Sequence, residues 1–159
     1  MRLPSVVLSI VLAALFTMAG GLPRAYAPDA PEMLRLFAAT ELKSGENGHF
    51  IVTADINGTD VKVMVDTGAS AVALSYEDAQ DIGLHPGTLD FNVPVSTANG
   101  ITKAAGVTLD KIEIDGVKVS DVKGLVLPKG VMRGSLLGMS FLGKLKSFKV
   151  EDGVLYLKN

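Results

Sequence analysis

The chain has 159 residues, of which 48% are hydrophobic and 20% charged, and its formal net charge is −2. This length accommodates one domain plus a short appendage. It contains no cysteine, which excludes disulfide bonds and thiol catalysis. Lysine and arginine form no dense patch, so we expect no nucleic acid partner. His49 and His85 lack the spacing of metal ligands, and we predict neither a metal nor another cofactor.

The N-terminus begins with a positive charge and continues as an apolar segment. Arg2 precedes residues 3–22, which carry no charged side chain, so we expect the positive end to stay in the cytoplasm. The segment is long enough for a transmembrane anchor. Ala25-Tyr26-Ala27 resembles a signal-peptidase site, but Pro28 disfavours cleavage there. Residues 1–22 are therefore predicted to be a membrane anchor or an uncleaved signal.

Either interpretation exports the rest of the chain. We expect a single-pass protein of the inner (cytoplasmic) membrane whose main domain faces the periplasm or the cell exterior. Residues 23–47 contain several prolines and are predicted to form a juxtamembrane linker. Within this linker, Pro31 to Leu42 fits either a short amphipathic helix or a loosely packed stalk. The main domain is predicted over residues 48–159.

From His49 onward the sequence predicts β-structure. The dipeptides Asn57-Gly58, Asp115-Gly116 and Asp152-Gly153 separate β-branched runs and predict tight hairpin turns. The predicted strands span residues 50–56, 61–65, 91–97, 101–109, 111–114, 117–119, 125–127, 136–137, 147–151 and 154–157.

Two short helices interrupt the predicted strands. Ser75 and Asp78 form a capping pattern for a helix that starts near Tyr76 and ends at Gly83. A second helix is predicted from Gly138 to about residue 145. Many short strands at close spacing, with two short helices, favour a closed or nearly closed β-barrel.

One pentapeptide carries most of the chemical information. Asp66-Thr67-Gly68-Ala69-Ser70 follows the β-branched strand 61–65, so a carboxylate stands at the end of a strand and the chain turns at a glycine. By itself an Asp-x-Gly is often only a turn. A second signal, Ser135-Leu136-Leu137-Gly138, lies downstream, and the combination favours a functional site.

Hydrolysis of a peptide bond by carboxylates needs two of them sharing one proton. The sequence contains a single Asp-Thr-Gly, since Asp115 and Asp152 lack the threonine and fall at hairpin turns. A domain of this size is too short to hold two such lobes. A C2 homodimer in which each chain presents Asp66 at the symmetry axis resolves the difficulty.

These motifs resemble those of the retropepsin-like aspartic proteases of clan AA, over residues 48 to 157. The resemblance rests on residues 66–70, on Thr97-Ala98-Asn99-Gly100, and on the segment from Leu136 to Leu142. It is closest to the exported bacterial branch with an N-terminal membrane segment. It implies a mainly β fold: a single-lobe closed barrel with a flap hairpin and two short helices.

The resemblance also implies roles for individual residues. Asp66 would be the catalytic aspartate, Thr67 would hydrogen-bond across the dimer axis, and Gly68 would donate its amide to the carboxylate. Support of the active-site loop would fall to Thr67, Gly68, Ala69, Leu137 and Gly138. The substrate flap would be formed by Thr97, Ala98, Asn99 and Gly100. Met139 stands where retroviral members commonly have arginine, and the flap lacks tyrosine.

The sequence thus predicts a membrane-tethered aspartic endopeptidase that acts on protein or peptide substrates as a homodimer. The alternative is a catalytically idle module of the same fold that binds peptides or proteins at the membrane. A carboxylate glycosidase is a weaker possibility, because it needs a second placed acid within one chain and the sequence singles out none.

Overall fold

A computed structural model of the chain describes residues 40–45, 47–97 and 100–159. Both short helices lie in this part of the chain: α1 (Tyr76–Asp81) and α2 (Met139–Leu142), with a 3-10 turn at Pro86–Thr88. The strands are β1 (Thr40–Lys43), β2 (Ile51–Ile56), β3 (Thr59–Val65), β4 (Val72–Leu74), β5 (Val93–Thr97), β6 (Gly100–Ile114), β7 (Val117–Val126), β8 (Ser135–Leu137), β9 (Ser147–Glu151) and β10 (Val154–Lys158).

Six of these strands close a barrel, as the sequence predicted. They follow the order β2-β3-β8-β4-β7-β6, and β2 pairs again with β6 through Asp55 with Glu113 and Ile56 with Ile112. Two of the neighbouring pairs are parallel, β3 with β8 and β4 with β7, and both lie beside the Asp-Thr-Gly loop. Closure leaves the barrel strands without a free edge.

The barrel encloses one apolar core. Its largest fully buried side chains come from both the strands and α2: Ile56, Leu74, Leu109, Ile112, Ile114, Leu137, Phe141 and Leu142. Alternate residues of β2, and of β7 on either side of Asp121, face this core, which is the period-2 pattern that the sequence displays. Leu155 and Leu157 of β10 belong to the same core, so the second sheet packs against the barrel.

The three predicted hairpin turns are confirmed. Each turn places an Asn or Asp and then a Gly in the left-handed region, with φ of 54° and 93° at Asn57-Gly58. Both central residues of a type I′ turn need positive φ, which explains this residue choice. The first turn is reinforced by Asp55, whose Oδ1 accepts the Gly58 N–H at 2.9 Å and lies 3.2 Å from Lys111 Nζ. Both contacts lower the pKa of the Asp55 carboxyl: the hydrogen bond from the Gly58 amide has the larger effect, and that from the Lys111 ammonium the next largest.

The strands after the flap are longer than predicted. The segments predicted separately at 101–109 and 111–114 form one strand, β6, and those at 117–119 and 125–127 form one strand, β7. Their antiparallel pairing runs from Ala105–Val126 to Ile114–Val117. Asp121, with φ of 53°, interrupts β7 without ending it. The Lys144 ammonium donates to the carbonyls of Ser120 and Asp121 at 2.9 and 2.8 Å, which holds the backbone at the interruption.

A second, three-stranded sheet has the order β1-β10-β9. Strand β1 lies in the segment that the sequence analysis assigned to the linker, and Thr40 to Lys43 pair with Leu157 to Val154. Neither the helix nor the loose stalk considered for residues 31–42 describes its last residues, which are β-structure because β10 offers them a partner edge. Residues 23–39 of the predicted linker and the predicted anchor lie outside the described residues. None of the described helices is long and apolar enough to cross a membrane.

Both helices are short, and a side-chain cap fixes the start of α1. Ser75 caps α1, since its Oγ accepts the Asp78 N–H at 3.0 Å and donates to Asp78 Oδ2 at 2.8 Å. This is the predicted capping pattern. Helix α2 ends at Leu142 rather than near residue 145, and Leu145 continues from it in a turn bonded to the Leu142 carbonyl.

Candidate active site

Asp66 stands at the carboxyl end of β3, half-buried. Its backbone N–H donates to the Leu137 carbonyl at 3.1 Å, which ties the loop to β8. Its side-chain Oδ1 accepts the Gly68 N–H at 2.8 Å, the contact predicted for that glycine. The Ala69 N–H donates back to the Asp66 carbonyl at 3.3 Å. The turn thus orients the carboxylate through main-chain groups that a side-chain substitution does not remove.

Gly138 lies against the same loop at very short range. A Cβ atom at residue 138 would lie 2.2 Å from the Ala71 carbonyl oxygen and 2.7 Å from that of Ala69. Both atoms belong to the backbone and have no rotamer by which to move away. The next residue, Met139, donates its N–H to the Ala69 carbonyl at 2.8 Å. Glycine is therefore required at residue 138, where the chain leaves β8 and turns beneath the Asp-Thr-Gly loop.

Ser140 links the strands on the far side of the loop. Its Oγ accepts the Val72 N–H at 2.9 Å and donates to the Lys123 carbonyl at 2.6 Å. One hydroxyl thereby joins the beginning of β4 to β7 beside the point where their parallel pairing starts at Gly124. The hydroxyl thus provides hydrogen-bond partners for two backbone groups at the end of this strand pair, the Val72 N–H and the Lys123 carbonyl.

A second polar network anchors β8. The Ser135 Oγ donates to Asp78 Oδ2 and accepts the Ser75 N–H at 3.0 Å. Ser75 and Ser135 are each only 2% exposed, so these hydrogen bonds are shielded from water. They hold helix α1 to the strand that leads into Gly138. The sequence predicted the Ser75–Asp78 cap, but it did not predict the hydrogen bonds from Ser135 to these two residues.

A cleft of ≈ 610 Å³ opens beside Asp66. Among the described residues that line it, Asp66 is the one with an ionisable side chain. Most of the remaining walls are apolar and come from five parts of the chain: Ala71, Ala73, Val95, Leu125, Leu127, Val131, Met132 and Leu136. A carboxylate at the edge of an apolar cleft is suited to act on a chain whose side chains fill that cleft.

The hairpin predicted to be the substrate flap lines one side of the cleft, and its role as a flap stays a prediction. Strand β5 pairs with the start of β6 from Val93–Ala104 to Thr97–Gly100, and residues 94–97 line the cleft. Thr97 Oγ1 donates to the Gly100 carbonyl at 2.8 Å. Ile101, beside the turn, is 85% exposed. Ala98 and Asn99, also predicted for the flap, lie outside the described residues.

The structure brings most of the predicted site residues together. Asp66, Gly68, Ala69 and Thr97 line the cleft, and Leu137 and Gly138 pack beneath the loop. Thr67 is exposed and does not line the cleft, and its contact across a dimer axis stays a prediction. Within the described chain, no group of histidine, aspartate and glutamate side chains could hold a metal ion.

Sequence reasoning missed Val131 and Met132. They come from the loop between β7 and β8, and in the sequence only Pro128 and Gly130 indicate this loop. The pair of adjacent apolar residues inside the loop, just before Ser135, was the one sequence feature that could have indicated a role in the cleft. Apolar side chains in a loop with no strand period need a surface to cover, and here they cover the cleft.

Comparison with known proteins agrees with this geometry. The family model described as "gag-polyprotein putative aspartyl protease" matches residues 52–144, which contain Asp66, the flap and Gly138. The chain belongs to the retropepsin-like aspartic proteases. This confirms the family that the sequence motifs indicated.

Individual relatives fit the same assignment. A retropepsin-like aspartic protease from Rickettsia conorii is 38% identical, covering 76% of this chain and 89% of its own, with a TM-score of 0.69. EIAV protease shares the fold at 20% identity and a TM-score of 0.52, covering 64% of this chain and 91% of its own. An uncharacterized protein in the cobV 5′ region of Sinorhizobium is 46% identical over 113 residues, 71% of this chain. The chain spans about half the length of the curated relatives it matches.

The contact beneath the loop predicts the effect of adding one methyl group. We expect Gly138→Ala to destabilise the fold by more than about 3 kcal/mol, because the new Cβ would meet two backbone carbonyls. Gly134→Ala is the matched control, since a Cβ at that nearby position meets nothing within 4 Å. Its free energy of unfolding should change by less than about 0.5 kcal/mol. Urea unfolding of both variants measures the difference, and equal midpoints would contradict the close approach.

Proposed function

We propose that this protein is an aspartic endopeptidase that hydrolyses peptide bonds with a water molecule activated by two Asp66 side chains, one from each chain of a homodimer. The observation that carries the proposal is the position of Asp66, the one ionisable group on the described walls of an apolar cleft. Its carboxylate is held by the Gly68 amide. The membership of the chain in a family of aspartic proteases supports the same chemistry.

The proposed reaction uses one shared proton. The ionised carboxylate removes a proton from water, whose oxygen adds to the scissile carbonyl carbon, while the protonated carboxyl donates its proton to the carbonyl oxygen. The tetrahedral intermediate then loses its amine: the carbon–nitrogen bond breaks as the nitrogen accepts a proton from the carboxyl that took one from water. The other carboxylate removes the proton of one gem-diol hydroxyl, which forms the new carbonyl and restores the shared proton. Ionisation of one carboxylate disfavours ionisation of the other in contact with it, so the pair would share one proton until the solution becomes alkaline enough to remove it.

The requirement for a second chain follows from the count of acids in the cleft. One carboxylate can accept a proton, but it cannot at the same moment donate one to the carbonyl oxygen. A two-fold axis beside Asp66 would supply an identical group from the partner, because C2 interfaces bring the same surface of both chains together. Thr67 is exposed and lies next to Asp66, which supports a role for it in that contact.

Replacing the acid tests the chemistry. We expect Asp66→Asn to lower the rate of cleavage of a peptide library by at least about 10² to 10⁴-fold, because the amide can neither accept nor donate the shared proton. Asp152→Asn is the control. It makes the same change at an exposed Asp-Gly turn, where asparagine tolerates the positive φ of 50°, and it should cleave at the wild-type rate. The wild type should lose activity toward alkaline pH, where the shared proton is lost, and a flat pH profile would contradict the dyad.

Outcomes other than selective loss are informative. Cleavage by Asp66→Asn at the wild-type rate would refute the proposal. A peptide that binds the wild type and Asp66→Ala equally, and that neither protein cuts, would favour the peptide-binding module instead.

Mixing the two kinds of chain tests the dimer. When wild type and Asp66→Asn are refolded together in a 1:3 ratio, random pairing gives each wild-type chain a wild-type partner about one time in four. Activity per wild-type chain should therefore fall to about a quarter of its unmixed value. Activity that depends only on the amount of wild type at every ratio would show that one chain is sufficient.

We further propose that residues 1–22 hold the protease at the inner (cytoplasmic) membrane with its cleft on the outer side. The apolar run after Arg2 supports this placement. Fractionation of cells, followed by protease digestion of intact spheroplasts, measures it. A protein that stays in the soluble cytoplasmic fraction, or that digestion cannot reach, would contradict it.

A further inference from the structure

A second, shallower groove of ≈ 390 Å³ adjoins the active-site cleft. Ala71 and Leu125 line both cavities, so the groove begins where the cleft ends. Its floor is the outer surface of β6 and β7, where Gly106 pairs with Leu125 and Thr108 with Lys123. An extended peptide in the cleft that continued past Leu125 would enter this groove.

The fold does not explain why residue 106 is glycine. A Cβ there would approach one atom only, Val93 Cγ2, at an ordinary contact distance of 3.7 Å, and its φ is not positive. Gly124, on the neighbouring strand, differs: its Cβ would lie 3.2 Å from Val107 and 3.3 Å from Leu109 in the buried layer. Packing therefore favours glycine at 124, whereas at 106 the glycine leaves the groove open without a packing reason of its own.

The groove carries one positive charge. Lys123 is exposed, and the ion pairs among the described residues involve Lys111 and Lys149 but not Lys123. Its backbone is held by the hydrogen bond from Ser140 to its carbonyl. Asp121 and Asp110 lie farther along β7 and β6, beyond Lys123 as seen from the cleft. A carboxylate that arrives from the cleft would therefore reach the Lys123 ammonium before it meets either aspartate.

We propose that this groove binds a substrate residue that lies outside the cleft, away from the scissile bond, and that Lys123 selects an acidic side chain there. The Thr108 hydroxyl, directly opposite Lys123, offers the carboxylate a second donor. The inference rests on the proposed function, since the occupant is the continuation of the peptide in the active-site cleft. It adds a specificity-determining residue that lies outside that cleft.

Peptide binding to an inactive protein tests the groove without requiring catalysis. The full-length Asp66→Asn chain is used to select from a random peptide library, and the bound peptides are sequenced. We expect acidic residues to be enriched, and we expect Lys123→Glu, added to Asp66→Asn, to lower that enrichment about three- to tenfold and to favour lysine and arginine. Lys118→Glu makes the same charge change on the same strand, away from the groove, and should leave the selection unchanged. High salt should weaken the acidic preference.

Blocking the groove gives a second measurement. Gly106→Val should leave the melting temperature near that of the parent, because valine is suited to a strand. Peptides long enough to reach the groove should bind the parent more strongly than short peptides do, and Gly106→Val should abolish this difference. Peptides that fill only the cleft should bind it unchanged. An identical selection by Lys123→Glu, or an unchanged length dependence in Gly106→Val, would overturn the groove. Failure of the proposed function shows separately, as bound peptides that the wild-type enzyme does not cut.

Discussion

The arrangement of the cleft depends on the contact between Gly138 and the loop that carries Asp66. Two segments separated by about 70 residues meet there at a distance that excludes even one Cβ atom. Main-chain hydrogen bonds on both sides fix the contact, from Asp66 to Leu137 and from Met139 to Ala69. Since backbone groups make it, the carboxylate is oriented by the path of the chain rather than by a neighbouring side chain. Main-chain contacts therefore set the shape of the cleft floor.

Hydroxyl groups complete this floor where the strand ladders end. Parallel pairs such as β3–β8 and β4–β7 leave backbone groups over at the ends of short strands, and a buried group without a partner is costly. Ser140 and Ser135 supply those partners, each by donating one hydrogen bond and accepting another. Neither serine has a catalytic partner among its contacts. Their chemistry serves to connect strands that have only three residues in which to pair.

Sequence reasoning succeeded where one local feature decides the structure. The Asn-Gly and Asp-Gly turns, the Ser75 cap and the Asp-Thr-Gly motif each follow from the conformational or hydrogen-bonding properties of a few adjacent residues. It failed where distant pairing decides. The continuity of β6 and β7 depends on their mutual ladder, which carries both strands past Asp121, and β1 is a strand because β10 lies beside it. The cleft residues Val131 and Met132 were missed for the same reason, since only the folded loop brings them to the cleft.

Two-fold symmetry sets a further condition on how such a protein would read its substrate. A homodimer with Asp66 near its axis would carry two copies of the groove at Gly106 and Lys123, one related to the other by the axis. A peptide has a direction and no such symmetry, so its two ends present different residues to identical surfaces. An acidic residue at one end is enough to engage one Lys123, and the second groove then faces whatever the other end supplies. Charge recognition at a distance from the reacting carbonyl would in this way orient an asymmetric chain on a symmetric enzyme, while the apolar cleft between the grooves positions the bond for the shared proton.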